Sequence, residues 1–169
     1  MRLSVALAAF LSLTSAALAA EPPPPPGWEA VEMRYLLGTA DYDRRLNDAH
    51  HHLAAAGDFD GDGRADVARL LVRRDEGIAA LFVTLGRDAA PWAHRLASVP
   101  LHEVVRLGVS AGKIGDFVTN CNAGVSDDRA CGDVAQIGDN DTLTLFTFAA
   151  AARVFWWTAD GFVSAWMGN

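Results

Sequence analysis

Apolar residues in this chain alternate with polar ones over short runs, and glycine and aspartate punctuate the runs. Period-2 alternation of this kind marks half-buried strands. The clearest case is Thr142 to Phe148, where Leu143, Leu145 and the phenylalanine rings alternate with threonine. Arg153 to Thr158, the turn Ala159-Asp160-Gly161 and Phe162 to Trp166 read as a hairpin. A second hairpin runs from Ala65 to Arg73, turns at Asp75-Glu76-Gly77 and returns over Ile78 to Leu85. Its alternation places Ala68, Leu70 and Val72 on one face, with Val67 and Leu71 on the other.

Weaker strand patterns cover His51 to Ala56, Trp92 to Val99, Val104 to Val109 and Gly115 to Asn120. Residues 28–50 fit a helical stripe through Trp28, Val31 and Tyr35 and a strand through Val31, Met33, Tyr35 and Leu37 equally well. The expected fold class is mainly β: a small antiparallel sheet or sandwich-like domain with room for one short N-terminal helix. The alternative is α+β.

Between two of these strands lies Asp58-Phe59-Asp60-Gly61-Asp62-Gly63-Arg64-Ala65-Asp66. Carboxylates this close repel unless a cation neutralises them. Ca²⁺ takes about 6–8 oxygen ligands in a flexible geometry. A two-residue spacing aims Asp58, Asp60 and Asp62 at one centre, and Gly61 and Gly63 permit the left-handed dihedrals such wrapping needs. The backbone carbonyl of Arg64 falls where the seventh position of a calcium loop supplies its oxygen, and Asp66 closes the set. The competing reading is a solvated acidic turn. An EF-hand does not fit, because Arg69 stands where a bidentate glutamate belongs and a strand follows.

Gly57 to Asp66 entering a strand resembles the calcium hairpin of FG-GAP/VCBS-type repeats, found in integrin-like β-propellers and many exported bacterial proteins. The resemblance covers about residues 52–85, in a single copy. It implies one hairpin and one structural Ca²⁺, not a propeller of several blades.

The N-terminus reads as a secretory signal over residues 1–19. Arg2 precedes an apolar run from Leu3 to Leu18, and Ala17-Leu18-Ala19 fits a small-x-small cleavage pattern. Residues 20–27 form a linker whose prolines, Pro22 to Pro26, favour a semi-rigid polyproline II spacer. Residues 28–169 then form one β-rich domain. Cleavage leaves thirteen basic residues against 21 acidic ones, a net charge of −8. That balance argues against nucleic acid and anionic lipid as partners. In an exported chain the two cysteines, Cys121 and Cys131, read as a disulfide across a polar loop.

Other patterns carry less. Gly108-Val109-Ser110-Ala111-Gly112 spells a hydrolase elbow, but no histidine follows it in the chain, so a glycine-rich turn between strands is the expectation. Ser110 to Lys113 spells S-x-x-K without the companion motifs. His50 and His52 share a face if extended, yet two imidazoles are too few for structural zinc. Asp139-Asn140-Asp141 reads as an Asx-type turn rather than a second cation site. Trp156 and Trp157 fall on opposite faces of one strand; packing is the expectation, with glycan stacking on an exposed ring as the alternative. The functional expectation is an exported, periplasmic or secreted calcium-binding module, non-enzymatic, whose partner is a protein or glycan of the cell envelope. The alternative is a cell-envelope polymer hydrolase or an inhibitor of one.

Overall fold

A computed structural model describes residues 22–119, 134–148 and 150–167. The expected signal segment and the Cys121–Cys131 pair lie outside the described residues. The chain is mainly β. Its strands are β1 (Glu29–Ala30), β2 (Ala54–Gly57), β3 (Asp66–Arg73), β4 (Ile78–Thr84), β5 (His94–Pro100), β6 (Leu107–Gly112), β7 (Phe117–Val118), β8 (Val134–Ala135), β9 (Thr142–Thr147), β10 (Ala152–Thr158) and β11 (Gly161–Trp166). A single helical turn, α1 (Tyr42–Arg45), and 3₁₀ turns at Met33–Tyr35 and Leu101–Arg106 complete the described elements.

Two antiparallel sheets share one core. The first has the order β1-β3-β4-β5, with β2 on the same edge of β3 as β1. The second has the order β11-β10-β9-β6. Side chains from both, among them Ala68, Leu70, Val72, Leu81, Val83, Val109, Leu143 and Phe155, form one buried cluster. Burying a leucine such as Leu70, 1% exposed, stabilises enough that truncation to alanine costs about 2–5 kcal/mol.

The expected faces of the β3–β4 hairpin hold. Ala68, Leu70 and Val72 join the main core, while Leu71 and Val67 pack with Phe82 and Trp92 on the opposite side. Gly77 makes the turn at φ +66°, in the left-handed region. A register shift between Leu81 and Phe82 bends β4 against β5.

Three expectations need correction. Val104 is not in a strand: the 3₁₀ turn Leu101–Arg106 holds it, and β6 begins at Leu107. Gly108 to Gly112 is not a turn but most of β6, with Ser110 opposite Thr144. Glycine is needed at 108 because the Phe146 ring lies directly opposite, where a Cβ would stand. The histidine run is not extended, since His51 and His52 have φ of +56° and +54°. Asp48 accepts hydrogen bonds from the N–H groups of His50 and His52, both at 2.9 Å. The His52 ring packs edge-on against Phe146 and Phe148.

The ambiguous N-terminal stretch contains the largest surprise. Arg45 is fully buried. Its guanidinium donates to the carbonyls of Leu107 at 2.6 Å and Val105 at 3.1 Å, and it lies over the Phe148 ring. Val105 lies in the last turn of the 3₁₀ segment, whose carbonyls lack intrahelical donors, and Leu107 is the first residue of β6. Burial pushes the guanidinium below its usual range, while Asp41 partly opposes the shift. The proline run lies against the body, because the Trp92 indole N–H donates to the Pro23 carbonyl at 2.9 Å.

Candidate metal centre

The acidic loop is the β2–β3 connection. Gly57 and Asp66 are cross-strand partners, so they close its base. Phe59, 0% exposed, anchors the loop in the core. Gly61 and Gly63 adopt φ of +75° and +81°, the left-handed conformation the sequence demanded.

Asp58, Asp60 and Asp66 converge: each offers a carboxylate oxygen, and the three lie within 4.8 Å of one another. Asp66 is fully buried. Its Oδ2 accepts from the Phe59 N–H at 2.6 Å, and its Oδ1 accepts from the Gly86 N–H at 2.7 Å. Burial pushes its carboxyl above the ordinary range, and the Asp60 charge adds to the rise; the N–H bonds oppose it.

The Asp60 side chain is also fully buried. Its Oδ1 accepts from the Asp62 N–H at 3.2 Å. Its Oδ2 lies 2.9 Å from Arg87 Nε, an ion pair without hydrogen-bond alignment. Asp58 Oδ2 accepts from the Gly63 N–H at 3.0 Å, while Asp58 Oδ1 is buried and accepts nothing. Asp58 Oδ1 and Asp60 Oδ2 are therefore buried anionic oxygens with lone pairs that no N–H satisfies. A cation bound among the three carboxylates satisfies such oxygens.

Asp62 lies outside the convergent group. Its Oδ1 accepts from the Arg64 N–H at 2.8 Å, and its Oδ2 is 3.8 Å from Arg64 Nε. The carboxylate is turned back along its own loop by these contacts. The Arg64 side chain is 65% exposed.

Residues far away in sequence complete the site. The turn entering β9 folds onto the loop. Asp141 Oδ2 accepts from the Asp58 N–H, and the Asn140 amide packs where a Cβ on Gly61 would stand. Gly86 approaches Ala65 so closely that a Cβ would lie 2.9 Å from the Ala65 carbonyl oxygen. That approach lets the Gly86 N–H reach Asp66. No local signal pairs these residues with the loop. The one clue was a second Asp/Asn turn, which in isolation resembles any other.

An all-oxygen, multiply anionic cluster suits hard cations and disfavours zinc, which prefers nitrogen and sulfur ligands. Three carboxylates leave several positions of a Ca²⁺ shell for backbone carbonyls and water.

The remaining candidates are packed rather than poised. Trp157 meets Phe162 and His94 edge-on, with Arg87 over its ring. Trp156 meets Phe117 edge-on. Among the described residues, no helix is long and apolar enough to cross a membrane. Comparison of the chain with protein-family models, with curated proteins and with solved structures finds no match.

Proposed function

We propose that this protein is an exported, calcium-stabilised, non-enzymatic binding or structural module of the bacterial periplasm or cell exterior, with a protein or glycan of the envelope as its partner. The observation that carries the reading is the convergence of Asp58, Asp60 and Asp66, with two buried carboxylate oxygens that accept no hydrogen bond. Ca²⁺ in this loop is structural. It neutralises the carboxylates of the β2–β3 connection, which the Asp58–Asp141 hydrogen bonds join to the turn before β9. The secretory pattern at Arg2 to Ala19 supports export to a compartment where Ca²⁺ is plentiful.

Calorimetric scans in chelator and in a Ca²⁺ series test the proposal. Binding to the folded state alone adds about 2.7 kcal/mol at 100 times the dissociation constant, so the melting temperature climbs with Ca²⁺. Asp60→Ala removes a ligand, leaves the glycines that shape the turn, and abolishes the climb. Identical melting in chelator and in excess Ca²⁺ overturns the reading. An equal response to Mg²⁺ at the same concentration overturns the choice of metal.

A further inference from the structure

A cleft of about 300 Å³ opens where β5 faces the inner side of the second sheet. Ala97, Ser98 and Val99 form one wall, and Leu107, Leu145 and Thr147 form the floor. Arg153 and Trp166 form the other wall. Leu145, Arg153 and Trp166 are cross-strand neighbours, so their side chains share one face of the sheet. Leu145 on that face belongs to the core, which places Arg153 and Trp166 on the inner side.

The polar groups of this cleft do not balance. Arg153 donates its Nε–H to Ser164 Oγ at 3.0 Å and lies over the rings of Phe155 and Trp166. It pairs with no carboxylate among the described residues, in a chain of net charge −7. The Trp166 indole nitrogen is buried and has no acceptor among the described residues. The Arg153 guanidinium therefore stands beside an apolar floor as the charged group of the cleft, with the Trp166 ring packed against it. Pockets of this kind, about 300–1,000 Å³ and mostly apolar with a few convergent polar groups, are ligand sites. The planar guanidinium fork matches a carboxylate.

We infer that this cleft binds a small amphipathic monocarboxylate, its carboxylate on Arg153 and its hydrocarbon tail along Leu107, Leu145 and Val99. The acidic surface gives such an anion no long-range attraction. Affinity therefore depends on tail burial, and each added methylene tightens binding about fourfold until the cleft is full. The inference does not depend on the metal, since no residue of the acidic loop lines the cleft.

The test is an NMR titration of the Ca²⁺-supplemented protein with hexanoate, octanoate and 1-octanol, following the Trp166 indole N–H, assigned with Trp166→Phe. The expected result is a saturable shift of that resonance, tighter for octanoate than for hexanoate by about fifteenfold. Octanol, which lacks the charge, binds about tenfold or more weaker than octanoate, and Arg153→Gln loses about 10- to 100-fold. No saturation by millimolar octanoate overturns the inference. So does an Arg153→Gln protein that melts normally and binds octanoate unchanged. If that variant does not fold, the contrast between octanoate and octanol on the unaltered protein decides, and equal affinities overturn the inference.

Discussion

Asp58 and Asp141 hold one another by a reciprocal pair of hydrogen bonds. The Asp58 N–H donates to Asp141 Oδ2 at 3.0 Å, and the Asp141 N–H donates to the Asp58 carbonyl at 3.0 Å. The pair joins the loop ahead of β3 to the turn ahead of β9, so it ties the two sheets together at the candidate metal centre. Asp141→Ala leaves the Asp58 N–H without its acceptor and costs about 1–3 kcal/mol in urea denaturation. Asp141→Asn, which keeps an acceptor, costs less. Wild-type stability in the alanine variant would show that the two segments are held by packing alone.

Arg87 competes with any cation for Asp60, which it approaches to 2.9 Å. Nearly half of the arginine is exposed, so its contribution is that of a surface pair, at most about 1 kcal/mol. Arg87→Gln therefore destabilises the metal-free protein slightly and tightens Ca²⁺ binding up to about fivefold. Titration calorimetry reads the affinity. Weaker Ca²⁺ binding in this variant would mean that Arg87 orients Asp60 toward the ion instead of screening it.

Gly108→Ala drives a methyl group into the Phe146 ring across the β6–β9 ladder. Overpacking of this kind costs about 1–3 kcal/mol. Combining it with Phe146→Leu recovers part of the loss, because the flat ring is the obstacle. A double variant no more stable than Gly108→Ala, measured by the same unfolding curves, would place the strain in the backbone instead.

Asp48 offers a pH signature. Burial alone would raise its carboxyl, but the N–H groups of His52 and His50 outweigh that and hold it below the usual value of 3.8. A depressed folded-state pKa stabilises above the unfolded pKa, and the contribution is lost as pH falls through the folded value. Asp48→Asn keeps an acceptor and loses the charge. Its melting temperature therefore lies below wild type above pH 3.8, and the gap closes as pH falls through the depressed folded value. A gap that stays constant with pH would show that Asp48 acts only as a neutral acceptor.

The β3–β4 and β10–β11 hairpins were legible in the sequence because local alternation and turn residues specify them. Leu143 and Leu145 revealed β9 for the same reason. Gly108 to Gly112 misled because glycine usually signals a turn, and only the Phe146 ring opposite explains it inside a strand. Arg45 gave no signal at all. A charged residue in a polar stretch reads as surface until the carbonyls of Val105 and Leu107 are found around it. The acidic loop was visible from spacing, including its left-handed glycines and the closing role of Asp66. The departure of Asp62 from the cluster was not visible, because its bonds to Arg64 are a local competition that spacing does not resolve. Asp141, Gly86 and Arg87 reach the loop only through tertiary structure.

The bond from the Trp92 indole to Pro23 makes the proline run a strap rather than a tether. Trp92 is 5% exposed and packed with Leu71, Ala80 and Phe82, so the anchor point does not swing with the surface. A polyproline II stretch advances about 3.1 Å per residue and bends little. Trp28, just past the run, packs on the same cluster and meets Phe82 edge-on. Pro23 to Pro26 therefore span two anchors on one patch of the fold, and the run acts as a brace across that patch where a flexible linker would only add length.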